Sequence, residues 1–173
     1  MGSVARPLHL AARLLDVVSS RRLSPTEQAE VAKYLLSPEE RTLFWAQPRA
    51  DQRHALASAR CVLAARPDRR DMIRAALFHD IGKRHSGLGA IGRSWAVLCG
   101  ALNRSSRRAT AYGDHGRLGA AELARAGAEP MVVAYARHHH GSRPGEITPE
   151  DWAVLQAADR AEPPWPRRAA AHP

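Results

Sequence analysis

Residues 71–83 read Asp-Met-Ile-Arg-Ala-Ala-Leu-Phe-His-Asp-Ile-Gly-Lys. At helical spacing, Met72, Ala76 and His79 fall on one line, and Ile73, Leu77 and Asp80 on the next. A helix over 69–80 therefore carries an imidazole and a carboxylate on the stripe that should face inward. A buried, unpaired aspartate costs several kcal/mol or takes up a proton, so Asp80 needs a cationic partner.

The same pattern recurs on either side. His54 follows the line of Ala50, Ala57 and Cys61; His139 continues Val132, Tyr135 and Ala136; Asp159 continues Trp152 and Leu155. A single histidine in such a place is usually a hydrogen-bonded core residue. Imidazoles and two carboxylates converging from four helices are instead the pattern of a metal site inside a helical bundle. Nitrogen and oxygen donors without thiolate favour Fe, Mn, Co, Zn or Mg, as one or two divalent ions.

Helix signals fill most of the chain. Ser24-Pro25-Thr26-Glu27, Ser37-Pro38-Glu39-Glu40 and Thr148-Pro149-Glu150-Asp151 each place a hydroxyl at the cap, proline at the first helical position and an acid two residues later. Glu27 and Glu40 complete capping boxes, with Asp151 a shorter substitute. The expected helices are 6–19, 25–36, 38–46, 50–65, 69–80, 88–102, 115–127, 129–140 and 149–161. No segment alternates with period two, so the fold class is all-α, a compact helical bundle. Residues 1–47 read as an N-terminal helical extension, 48–162 as the domain that holds the histidines and aspartates, and 163–173 as a flexible tail.

The 173 residues suit one domain of ordinary size, and 45% hydrophobic with 25% charged residues is a globular composition. The net charge of +9 comes from 26 basic residues of which only Lys33 and Lys83 are lysine. The arginines are scattered apart from Arg66–Arg74 and Arg104–Arg108, which read as solvated basic faces. No basic motif with interleaved aromatics is present, so nucleic acid is not the expected partner. Cys61 and Cys99 form no CxxC and read as small core residues of a reducing compartment. Arg13 and Asp16 interrupt the apolar start, and the run 88–102 contains Arg93 and is shorter than the roughly 20 residues of a membrane span, so a cytoplasmic location without membrane attachment is expected.

The ordered set His54, His79-Asp80, His115, His139-His140 and Asp159 resembles the HD-domain superfamily of metal-dependent phosphohydrolases. Leu77-Phe78-His79-Asp80-Ile81-Gly82-Lys83 is similar to its HDIGK form, His115-Gly116-Arg117-Leu118-Gly119-Ala120 to its HGxxGA stretch, and Ala158-Asp159-Arg160 to its closing AD element. The resemblance covers residues 50–161. It implies that His54, His79, Asp80 and Asp159 are the core metal ligands, with Asp80 able to bridge two ions, and that His115, His139 and His140 match the additional histidines of dinuclear members. In the run His138-His139-His140, the pair is assigned to 139–140 by alignment of the preceding helix.

The resemblance also implies an activity. Asp80 and Lys83 are the expected catalytic residues, with Lys83 contacting phosphate; the alternative for Lys83 is a lysine favoured by a helix C-terminus. Arg84, Arg117 and Arg143 are the substrate-binding candidates, with His85 and Arg137 behind them. The expected partner is a small phosphorylated molecule, a nucleotide or dinucleotide. Gly141-Ser142-Arg143-Pro144-Gly145 stands where the cyclic-dinucleotide phosphodiesterases carry GYP, and Lys83-Arg84 near where the alarmone hydrolases carry an acidic pair. A di-iron oxygenase and a non-enzymatic binding module are the other readings of the same family. The stripe Leu88, Ile91, Trp95, Leu98 and Leu102 reads as core, with a homodimer contact or a lid as alternatives.

Overall fold

The computed structural model describes residues 21–86 and 114–160. Among them are seven α-helices, one 3-10 segment and no strand: α1 (Pro25–Ala32), α2 (Pro38–Trp45), α3 (Arg49–Ala65), α4 (Arg70–Phe78), the 3-10 segment Ile81–Ser86, α5 (His115–Arg125), α6 (Pro130–His138) and α7 (Pro149–Asp159). The all-α class is therefore as the sequence implies. The expected helices 6–19 and 88–102 with their apolar stripe, Cys99, and the tail 163–173 lie outside the described residues.

The caps form where the hydroxyl-Pro signals stand, but two acids take other partners. Ser24 and Glu27 close a full capping box, with Glu27 N–H donating to Ser24 Oγ at 3.2 Å and Ser24 N–H to Glu27 Oε2 at 2.8 Å. Ser37 caps α2 at 3.1 Å, yet the Glu40 carboxylate accepts from Leu36 N–H at 2.7 Å and binds Arg74 instead of closing the box. Thr148 caps α7 at 3.2 Å, and Asp151 pairs with Arg69 at 2.9 Å. In both cases the carboxylate takes an arginine that is distant in sequence, Arg74 of α4 or Arg69 at the N-cap of α4, and leaves the N–H of the cap residue.

Helix α4 is the centre of the bundle, packing against α3, α6 and α7. Met72, Ile73, Ala76, Leu77 and Phe78 are all buried. Leu23, Val31, Leu35 and Phe44 from the segment before residue 48 join the same core, and the Phe44 and Phe78 rings meet edge to face at 6.3 Å. Arg74, expected on a solvated basic face, is instead among the largest fully buried side chains. It pairs with Glu40 of α2 and with Glu129 at the start of α6. Cys61, expected in the core, is exposed: the buried face of α3 runs through Ala55, Leu56, Ala59 and Val62.

Helix α3, which carries His54, is fastened on either side of that residue. Gln52 Nε2 donates to the carbonyls of Gln47 (2.8 Å) and Trp45 (3.3 Å), satisfying acceptors at the end of α2. Arg60 makes a bidentate pair with Glu30 of α1.

Candidate metal centre

Helix α4 ends one residue before the doublet. His79 is its C-cap, with φ −56° and ψ −35°, and Lys83 N–H bonds to Asp80 C=O at 2.9 Å as the chain tightens into the 3-10 segment. His79 and Asp80 therefore emerge at a helix end, both buried, and can address different neighbours. The expected helix over 69–80 stops short because the segment after it lies against α5. A Cβ on Gly82 would sit 1.9 Å from the His115 carbonyl oxygen, and one on Gly119 would meet Ile81 and the Gly82 nitrogen inside 3.0 Å. Gly116 performs the same service toward α6, where a Cβ would lie 2.9 Å from the carbonyls of Ala136 and Arg137. These glycines let three backbones approach closely enough to bring His115 to Asp80 and His139.

Two groups of donors result. Asp80, His115, His139 and His140 offer ligand atoms within 4.8 Å of one another, and so do His54, His79 and Asp159. In the first group, His139 Nε2 and His115 Nε2 lie 3.3 and 3.5 Å from Asp80 Oδ1, and 3.2 Å from each other. In the second, Asp159 Oδ1 lies 2.9 Å from His79 Nε2 and 3.4 Å from His54 Nε2. Asp80 also reaches the second group, its Oδ2 standing 3.5 Å from His79 Nε2 while holding the Lys83 ammonium. All seven expected ligands are thus brought together. His139 and His140 join the cluster and His138 does not.

The orientation of the rings is set from behind. His79 Nδ1–H donates to Ala76 C=O and His139 Nδ1–H to Ala136 C=O, each at 2.9 Å. A carbonyl only accepts, so Nδ1 carries the proton and Nε2 faces the centre, the arrangement common to metal-binding histidines. Despite the short separations, His79 Nε2 and Asp80 Oδ1 are buried without an aligned hydrogen bond. Buried polar atoms are seldom left so, and a divalent cation is a partner that suits both.

The electrostatics agree. Burial alone would raise the Asp80 pKa, but His79 and Lys83 hold it well below the usual carboxylate range. Asp159 is likewise held far down, its burial outweighed by the imidazoles of His54 and His79 beside its carboxylate. Burial works against a charge on His79, yet Asp80 and Asp159 prevail and its pKa rises. Burial lowers His139, and burial together with His139 and His115 takes His140 down to about 4. The last two rings are neutral near pH 7, with lone pairs available to a cation.

The other expected site residues are placed unevenly. Lys83 is half-buried against Asp80. Arg84 pairs with Glu122, which also takes His85 at 2.9 Å. Arg117 is well exposed and 3.2 Å from Asp114. Arg143 donates to the carbonyl of Ile147 within its own loop. Two residues were not singled out from sequence. Tyr135 OH donates to Leu155 C=O at 2.9 Å, and Gln156 Nε2 to His139 C=O at 2.6 Å. Tyr135 was seen only as part of an apolar stripe, and Gln156 carried no signal at all.

With this geometry in hand, comparison with protein families gives a match to the HD domain over residues 50–163. The chain belongs to the HD-domain family. The match spans every residue of both donor groups, from His54 to Asp159. HD domains form a superfamily of metal-dependent hydrolases that bind divalent ions, and the histidine–aspartate cluster of this HD domain can hold a metal. No curated protein and no solved structure matches the chain. Among the described residues, no helix is long and apolar enough to cross a membrane.

Proposed function

We propose that this HD-domain protein is a phosphohydrolase that cleaves a phosphoester or phosphoanhydride, of a nucleotide or dinucleotide, with water as nucleophile. The observation that carries this reading is the position of Asp80, one buried carboxylate shared between two sets of imidazoles and contacted by a lysine. His54, His79, Asp80, His115, His139, His140 and Asp159 would hold one or two divalent ions, whose Lewis acidity would acidify water and neutralise charge on phosphoryl oxygens.

The chain's own residues supply the rest. The Ala76 and Ala136 carbonyls keep the His79 and His139 rings from rotating. Lys83 holds a positive charge beside Asp80, suited to a non-bridging phosphoryl oxygen. Arg84, Arg117 and Arg143 are the further candidates for holding substrate phosphates. Each already has a partner to leave: Glu122 for Arg84, Asp114 for Arg117 and the Ile147 carbonyl for Arg143.

The test is phosphate release from a panel of nucleotides and dinucleotides by wild type and Asp80→Ala, with oxygen consumption recorded beside it. Hydrolysis by wild type, lost in the variant at unchanged helical content, is the expected result. Full activity in Asp80→Ala overturns the site, and oxygen uptake without phosphate release overturns the reaction class.

A further inference from the structure

The two donor groups stand on different parts of the bundle. Helix α7, which carries Asp159, packs mainly on α3 and α4, the helices of His54 and His79. Helix α6, which leads into His139 and His140, packs mainly on α5 and α4. Among the described residues, two hydrogen bonds join α6 and its C-cap to α7: Tyr135 OH to Leu155 C=O, and Gln156 Nε2 to His139 C=O. They sit side by side and run in opposite directions, so sliding or rotating α7 against α6 breaks both.

The Gln156 bond ends on the atom that matters most. The His139 carbonyl belongs to the peptide joining His139 to His140, at a helix C-terminus where carbonyls lack intrahelical donors. Holding that peptide plane sets the direction in which His140 leaves the backbone. It is consistent that the His139 and His140 rings lie only 4.0 Å apart, with His140 5.1 Å from His115. Gln156 is also three residues before Asp159, on the same turn of α7 and so close to the second group.

We infer that Gln156 is a positioning residue that sets the spacing between the two halves of the metal centre, by clamping the His139–His140 peptide to the helix of Asp159. The inference rests on the metal-site reading above. It assigns Gln156 no contact with metal or substrate, and it predicts that losing the side-chain N–H disturbs the pairing of two ions more than the fold.

The test is titration of metal-free protein with manganese(II), followed by calorimetry and by electron paramagnetic resonance, which reports coupling between neighbouring ions. Gln156→Met keeps the length of the side chain without its donor, and Gln156→Glu replaces the donor with an acceptor. Both are expected to bind the second ion more weakly by about 10-fold or more, as for other supports behind metal ligands, and to lose the coupled signal. The first ion and the melting temperature of the metal-free protein should stay at wild-type values. Wild-type affinities and an unchanged coupled signal in both variants overturn the inference. Equal weakening of both ions with a lowered melting temperature also overturns it, marking a purely structural role. Wild type that binds no manganese(II) would instead strike down the metal-site reading itself.

Discussion

The two halves of the centre are built by different means. The group of Asp80, His115, His139 and His140 is assembled by backbone approach: Gly82, Gly116 and Gly119 remove the Cβ atoms that would keep the 3-10 segment, α5 and α6 apart. The group of His54, His79 and Asp159 is assembled by side chains, through Gln52 and Arg60 holding α3 and Tyr135 holding α7. Their charge differs as well. Asp80 and Asp159 draw the His79 pKa up against its burial, whereas burial depresses His139 and His140, two of the three imidazoles grouped with Asp80. A half built on backbone contact tolerates no added atom; a half built on side chains can be dismantled one bond at a time.

That contrast can be broken experimentally. The largest effect is expected for Asp80→Ala, the one residue facing both groups: bound metal, by elemental analysis, should fall to background, and hydrolysis with it. Metal retained at wild-type content would show that the halves are independent of Asp80. Next comes Asp159→Ala, which removes the only carboxylate of its group. It should lose about one of two ions and leave the Asp80 group loaded; loss of all metal would mean that the halves do not fill separately.

Gly82→Ala sharpens the comparison from the other side. The new methyl has nowhere to go but the His115 carbonyl, so urea unfolding should report a loss of roughly 1–3 kcal/mol and metal should leave the Asp80 group first. An unchanged midpoint would contradict the close approach. Smallest in structural reach is Lys83→Gln: metal content and stability should hold while kcat/KM falls on the order of 10²-fold, as when one charge-stabilising donor is removed. A variant with normal kcat/KM would reduce Lys83 to a helix-end lysine.

Much of this was legible in one dimension, for identifiable reasons. His54, His79, Asp80, His139 and Asp159 stood out because each continues an apolar stripe, where an ionisable group conflicts with the helix's own pattern; His115 and His140 were legible only through the resemblance to the HD family. Glu27 closes its capping box as expected because the Ser24 N–H lies only three residues away, and Arg53 and Arg60 reach its carboxylate only at 3.9 and 3.7 Å. Glu40 and Asp151 were not, since the arginines that claim them, Arg74 and Arg69, come from 34 and 82 residues away. Arg74 itself looked like one more surface arginine, and nothing local distinguishes a guanidinium that will be buried between Glu40 and Glu129. Cys61 was misplaced by assuming that the stripe of His54 runs the full length of α3.

What the amino-acid sequence by itself determined is the all-α class, the helix starts and the ionisable residues that interrupt apolar stripes, because helical period and capping chemistry act over three or four residues. What only the tertiary structure decided is how the donors divide into two groups, which of them Asp80 serves, and that Gln156 and Tyr135 join α7 to α6. Those relations depend on where helix axes pass one another. That is set by packing around α4 and by the absence of a few Cβ atoms, not by any spacing along the chain.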